Sequence, residues 1–258
     1  MKAIRSRSNP AFKALIRLAG SSRERRRTGS TLLEGRRLVK AYQESGGTAE
    51  TVLGTESAFA DPLTRAFLEN FPARSRLVLP DGLFTAISQL ASPEGVAAVI
   101  RTPEAGPVPE PLSGCLLLEN IQDPGNLGSI LRTAVAAGTR QVFLSRESVF
   151  AWSPKVIRAG MGAHFFLSIF ENVDLAQVSR SFAGRVIATG PRATVSLYDL
   201  DLKGNVAWLF GNEGAGLSAE ASGVATMQVR IPMPGPAESL NVAAAAAVCL
   251  FEQIRQRG

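Results

Sequence analysis

Two short apolar runs near the end of the chain, residues 206–210 (VAWLF) and 227–231 (MQVRI), have the length and composition of buried strands. Each runs into a loop rich in glycine or proline, GNEGAGLS after the first and PMPGPAESLN after the second. The second loop opens a helical stretch, 241–251, whose five consecutive alanines and following VCLF leave no polar face. Buried strands with open loops at their carboxyl ends confine the chain to an α/β architecture with a ligand held at those loops.

The remaining sequence is consistent with that frame. Asn9-Pro10 starts a helix over 11–18, with Phe12, Leu15 and Ile16 on one face. A strand at 31–33, a helix at 36–44, strands at 50–53 and 76–79 around a helix at 62–69, a helix at 83–89 and a strand at 95–100 follow. Pro103, Pro107, Pro109 and Pro111 then mark residues 102–113 as a semi-rigid linker. From Gly114 the pattern alternates: strand 115–118, helix 127–137, strand 141–144, helix 154–160, strand 165–170, helix 175–182, strand 185–189, then the two runs above. The expected architecture is a small α/β domain over 1–101, the linker, and a domain over 114–258 with a mainly parallel sheet covered by helices on both faces.

Charge is unevenly spread. Residues 1–40 hold twelve Lys or Arg against Glu24 and Glu34, a balance of +10, so the other 218 residues carry −4 of the total +6. Such an asymmetry points to an end that meets a polyanion, with a solvated basic face as the alternative, and Arg23, Arg25, Arg26, Arg27, Arg36 and Arg37 are the candidate polyanion contacts. Cys115 and Cys249 have neither disulfide nor metal-ligand spacing, and His164 is the single histidine, so no metal site is expected. No apolar run approaches the ~18 residues of a membrane span. The N-terminal MKAIRSRSNP lacks the apolar core of a secretory signal, and the expected compartment is the cytoplasm.

Three segments carry candidate chemistry. In 119–134 a strand end turns into a helix bearing Asn126, either a helix cap or a ligand-facing amide, with Arg132 less than two turns further on. In 211–216 the glycines are spaced G-x-x-G-x-G rather than G-x-G-x-x-G, no P-loop lysine follows, and Glu213 would repel a phosphate. As a dinucleotide signal this is weak, and such glycines can equally let the backbone approach an unphosphorylated ligand such as an adenosine. In 231–241, Ser239 is a natural cap for the terminal helix.

In this order the three segments resemble the motifs of the SpoU (TrmH-type) RNA 2′-O-ribose methyltransferases of the SPOUT superfamily. Asn126 and Arg132 match the first motif, Gly211, Glu213 and Gly216 the second, and residues 231–233 with 239–242 the third. Ala243 stands where the family often has serine. Residues 153–162 also share the resemblance, and the N-terminal NPAFKALIRL and RRRTGSTLLEGRRLV are similar to the family's small L30e-like substrate-binding domain. The resemblance implies a deep C-terminal trefoil knot, which bottom-up reasoning would not draw because chains are essentially never knotted. It implies S-adenosylmethionine as cofactor, a homodimer with the active site near the subunit interface, and ribosomal RNA rather than transfer RNA as substrate. It makes Arg132 catalytic, with Asn126 and Glu213 positioning it. The cofactor would be held by Thr189, Gly190, Phe210, Gly211, Asn212, Ile231, Met233, Ser239, Leu240 and Asn241.

Two rival readings make different demands. A nicotinamide or flavin oxidoreductase needs a G-x-G-x-x-G turn and an acidic residue about 20 positions on, which the loop after 115–118 lacks. A non-catalytic RNA-binding protein would use the basic end alone and bind no S-adenosylmethionine.

Overall fold

A computed structural model describes residues 2–258, which divide into two compact units, 2–103 and 104–258. The first contains β1 (Lys2–Ala3), α1 (Pro10–Gly20), α2 (Ser22–Thr28), β2 (Ser30–Glu34), α3 (Arg36–Glu44), β3 (Thr51–Thr55), α4 (Glu56–Ala60), α5 (Pro62–Glu69), β4 (Arg76–Leu79), α6 (Asp81–Ile87) and β5 (Val96–Arg101). Its sheet has the order β1-β4-β3-β5-β2. The β1–β4 and β3–β4 pairs are parallel, while β5 runs antiparallel to both β3 and β2. Phe12, Leu15 and Leu18 of α1 pack with Leu32, Leu53, Leu79, Phe84 and Ile87 into one core, whereas Ile16 is exposed.

The cluster Arg23–Arg27, legible in the sequence only as charge, lies on α2. Ser21 Oγ caps that helix by accepting the Glu24 N–H at 3.1 Å. The helix period turns one of the five inward and corrects the expectation that all six candidate arginines face RNA. Arg25 is 1% exposed and donates its Nε–H to the Leu18 carbonyl at the end of α1, at 2.8 Å. A cation there satisfies a carbonyl that the helix leaves open. Burial lowers its pKa to about 10. Arg25 therefore joins α1 to α2.

The second unit contains β6 (Cys115–Leu118), α7 (Pro124–Ala136), β7 (Gln141–Leu144), α8 (Pro154–Gly160), β8 (Ser168–Phe170), α9 (Leu175–Ser181), β9 (Arg185–Thr189), β10 (Val195–Ser196), β11 (Val206–Phe210), α10 (Ala219–Gly223), β12 (Met227–Arg230) and α11 (Val242–Arg257). Its seven strands follow the order β10-β12-β9-β11-β6-β7-β8, and every pair is parallel. All five residues of β11 are buried, as its unbroken apolar run requires. The expected strand at 165–170 is shorter than the sequence suggested. Met161 and Gly162 both take positive φ, 49° and 91°, and Ala163–Phe166 forms a 3-10 turn before β8 begins. His164 in that turn is buried and donates Nε2–H to the Ala151 carbonyl at 2.9 Å.

Helices α7 and α8 meet at Gly128. A Cβ there would fall 2.4 Å from the Ala159 Cβ and 2.8 Å from the backbone of Val156 and Gly160. Only glycine permits that approach, which sets the position of the first turn of α7.

The terminal helix departs from its sequence reading at both ends. Asn241 rather than Ser239 is its cap, its Oδ1 accepting the Ala243 N–H at 2.9 Å. The helix continues to Arg257, and its last turns bury polar side chains. The Trp208 indole N–H donates to Gln253 Oε1 at 2.9 Å, and Gln256 Nε2 donates to the Leu200 carbonyl at 2.9 Å. Replacing Gln253 by Leu leaves the buried indole N–H unpaired and should cost about 1–3 kcal/mol in urea unfolding. The double variant Trp208→Phe/Gln253→Leu, which removes both partners, should lose less than the sum of the two single changes.

Candidate active site

The loops that follow β6, β9, β11 and β12 lie at the carboxyl ends of parallel strands, where the strand order reverses around β6 and β11. The loop after β6 turns at Asn120, which takes φ 52° and donates its N–H to Ser145 Oγ at 2.8 Å. Asp123 then caps α7 by accepting the Asn126 N–H at 2.8 Å. Asn126 is thus inside the first turn and is not a cap, so its side chain is available to the site.

The loop after β11 is closed by its own hydrogen bonds and tied by others to the loop after β6. Asn212 and Gly216 exchange backbone bonds at 3.0 Å in both directions. A Cβ on Gly211 would sit 2.4 Å from the Gly216 carbonyl carbon, so this closure admits only glycine. Asn212 Oδ1 accepts the N–H groups of Gly214 and Ala215, at 3.0 and 2.9 Å, and its Nδ2 donates to the Asn120 carbonyl at 2.8 Å. At the far end, Ser218 donates its N–H and hydroxyl to the Glu119 carboxylate, at 2.8 and 2.6 Å.

Glu213 projects from this loop to the start of α7. Its carboxylate accepts the N–H groups of Gln122 and Asp123, at 3.3 and 3.2 Å, and the Asn126 amide Nδ2 at 3.0 Å. Asn126 Oδ1 in turn accepts Asn241 Nδ2 at 2.8 Å. Because Asn241 Oδ1 caps α11, its amide has only one orientation, which forces that of Asn126 as well. Partial burial raises the Glu213 pKa, but the hydrogen bonds from Asn126, its own backbone, Asp123 and Gln122 outweigh it. The net shift is downward.

These loops enclose a cavity of about 380 Å³. Thr189, Gly190, Gly211, Asn212, Ile231, Met233, Ser239, Leu240 and Asn241 line it, and so do Asn126 and Glu213. Phe210 does not. Its ring is fully buried, stacked on Trp208 with centroids 6.2 Å apart, and its carbonyl accepts the Glu119 N–H. Pro191, Leu217, Val229, Val242 and Ala245 also line the cavity. Of these, Val242 and Ala245 were open to sequence reasoning, since positions i and i+3 of a capped helix share a face. Arg132 is exposed on α7, about 9 Å along the axis from Asn126. It lies outside the cavity lining and makes no hydrogen bond or ion pair among the described residues. In the first unit, Arg23, Arg26, Arg27, Arg36 and Arg37 are exposed, and Arg27 pairs with Glu24 at 2.7 Å.

The cavity suits an adenosine with an uncharged or cationic tail better than a dinucleotide. Leu217, Val229 and Leu240 offer apolar surface, backbone at Gly190 and Gly211 is open to close approach, and the carboxylate of Glu213 turns a negative charge toward any phosphate. Its volume lies within the range of small-molecule sites. Among the described residues no group of three or more His, Cys, Asp or Glu is placed to hold a metal ion.

Comparison with known proteins agrees with the geometry. Residues 114–251 match the SpoU rRNA Methylase family, and residues 9–98 match the MRM3-like substrate binding domain. A protein of Synechocystis described as an uncharacterized tRNA/rRNA methyltransferase is 34% identical, over 98% of this chain and 94% of its own. The 23S rRNA (guanosine(2553)-2′-O)-methyltransferase RlmP of Bacillus subtilis is 30% identical, over 97% and 98%. The crystal structure of an AdoMet-bound rRNA methyltransferase from Sinorhizobium meliloti superposes with a TM-score of 0.84 at 30% identity, covering 98% of this chain and 97% of that one. The doubly covered parallel sheet and knotted C-terminal end expected from the sequence are those of this fold. A family match over more than half of the chain, and relatives spanned almost end to end, make this protein a member of the SpoU rRNA methylase family.

Proposed function

We propose that the protein transfers a methyl group from S-adenosylmethionine to a ribose 2′-hydroxyl of ribosomal RNA. The observation that carries this reading is the junction of Asn126, Glu213 and Asn241 on the rim of the cavity. The names of the relatives, directed to 23S rRNA in RlmP, favour a ribosomal over a transfer RNA substrate. A purely RNA-binding protein would have no use for the cavity.

When bound, S-adenosylmethionine supplies a methyl group already activated on a sulfonium. The chain must therefore hold donor and acceptor in line and manage the proton of a weak acid. Backbone at Gly190, Gly211 and Ile231, with the Met233 and Leu240 side chains, would hold the cofactor. Asn126 and Glu213 would fix the rim where the ribose enters. Arg132 would bind the phosphate beside the target ribose and stabilise the oxyanion as the hydroxyl proton leaves to water. An arginine side chain, which keeps its proton in proteins, is poorly suited to take another itself.

The basic first unit would dock the RNA through Arg23, Arg26, Arg27, Arg36 and Arg37. We further infer that the protein is a cytoplasmic homodimer. Among the described residues no helix is long and apolar enough to cross a membrane. On α11, Ala244, Val248, Phe251 and Ile254 recur at helical spacing, and Phe251 is 50% exposed. A solvent-facing apolar stripe of this kind suits an isologous interface.

Three outcomes are expected. Arg132→Ala should lower methyl transfer by about a hundredfold or more, as removal of an oxyanion-stabilising donor does. Its calorimetric affinity for S-adenosylmethionine should stay at the wild-type value. Full activity in a folded Arg132→Ala protein would remove the arginine from the mechanism. The lowered pKa of Glu213 fixes a pH dependence: its stabilisation of the rim is complete above the ordinary carboxylate pKa and is lost as pH falls through the depressed one. Cofactor affinity should thus be level at neutral pH and fall only in that acid range. Glu213→Gln should lose about tenfold in affinity and flatten the acid decline, because charge-assisted bonds are replaced by mismatched ones. Phe251→Glu should convert the dimer to a monomer in sedimentation velocity.

A further inference from the structure

Strand β10 lies at the edge of the seven-stranded sheet and pairs only with β12, with Val195 opposite Val229 and Ser196 opposite Arg230. That register brings together two segments that each run on from a cavity-lining residue. Arg192 directly follows Pro191, a lining residue, and Arg230 lies between Val229 and Ile231, both lining residues. Two positions beyond Ser196, Tyr198 is 53% exposed while its neighbour Leu197 is buried. Arg192, Arg230 and Tyr198 are all exposed, and their side chains make no hydrogen bond, ion pair or ring contact among the described residues. Nothing in the fold uses them. By contrast, the neighbouring Arg185 donates to the Asp201 carbonyl and Asp201 accepts the Lys203 N–H, so those groups are spent on their own loop.

We propose that Arg192, Arg230 and Tyr198 form a contact strip for the single-stranded RNA that flanks the target ribose. The inference rests on the methyl-transfer reading above. A strand presenting a ribose to the cavity must continue past it, and the segments that run on from the lining carry two unpaired guanidinium groups and one open aromatic ring. Guanidinium groups neutralise phosphates and a tyrosine ring stacks on a base, the combination that single-strand binding uses. The strip discriminates little between bases, since stacking and phosphate contact read no base edges. It holds the strand in place, and sequence choice lies elsewhere.

The test compares full-length wild type, Arg192→Ala/Arg230→Ala, Arg192→Lys/Arg230→Lys, Tyr198→Ala and Tyr198→Phe. Each is measured for S-adenosylmethionine affinity by calorimetry, for KM and kcat with ribosomal RNA fragments, and for the salt dependence of RNA binding. In the double alanine variant KM should rise about tenfold, and the slope of log affinity against log salt should fall by about 1.4, or about 0.7 for each phosphate no longer neutralised. Cofactor affinity should not change, and the double lysine variant should recover most of the slope. Tyr198→Ala should raise KM about fivefold or more with the slope unaltered, and Tyr198→Phe should behave as wild type. Wild-type KM and slope in the double alanine variant would overturn the strip while leaving methyl transfer intact. Failure of the wild type itself to bind S-adenosylmethionine would overturn the activity on which the strip depends.

Discussion

The site depends on one partly exposed carboxylate. Glu213 takes two backbone N–H groups from the turn into α7 and the amide of Asn126, a residue 87 positions away. Asn126 then accepts from Asn241, 115 positions further on in the chain. Hydrogen bonds to an ionised acceptor are about twice as strong as neutral ones, and here they join three segments that share no strand or helix. The same bonds explain the chemistry of the cavity. A carboxylate already satisfied by N–H donors needs no cation and repels phosphate, which leaves an adenosine-like ligand with a positive centre as the complementary guest.

The junction holds because each of its members is fixed from behind. Gly211 permits the loop to close on itself, Asn212 bonds its own loop and the turn at Asn120, and Glu119 clamps Ser218. Asp123 holds the first turn of α7, and Gly128 lets that helix settle against α8. Asn241 has two duties, capping α11 and orienting Asn126, so the start of the terminal helix and the rim of the cavity cannot move independently. The loop between β12 and α11 is different. Its three prolines lack N–H donors, and among the described residues the one backbone–backbone bond from it to the rest of the protein is the capping bond from the Ala245 N–H to the Asn241 carbonyl. One wall of the cavity is therefore cross-braced by hydrogen bonds, and the other is shaped by its prolines and side-chain packing.

Most of the fold was legible where a residue's environment is set locally. The apolar runs mark β6, β7, β9 and β11 within their observed bounds, and the capping residues Asn9 and Ser153 begin α1 and α8 as their types predict. Failures came where a distant partner decides. Nothing local shows that Arg25 turns inward to the Leu18 carbonyl among four other charges, or that Gln253 is buried by a tryptophan 45 residues earlier. Ser239 is as good a cap as Asn241 by type, and only the bond to Asn126 explains why the second is used. Edge strand β10, two residues long, has no sequence pattern at all because its register is imposed by β12. In the site, the motif residues were identifiable by resemblance, while Phe210 was misjudged. A residue at a strand end can lie beside a ligand loop and still send its side chain into the core.

The position of Arg132 bears on how the reaction divides between rigid and open parts. It lies outside the cavity lining with no acidic partner among the described residues, whereas a guanidinium acting as a base would need a close neighbour to perturb it. An exposed guanidinium can meet a phosphate only when RNA arrives, and the phosphate then orders it. On that view the donor pocket is complete in the protein alone, while the groups that stabilise the reacting oxygen are completed by the substrate. Transfer would then occur only to a hydroxyl whose flanking phosphate can reach Arg132, which protects the activated methyl group from water and confines it to ribose within a polynucleotide chain.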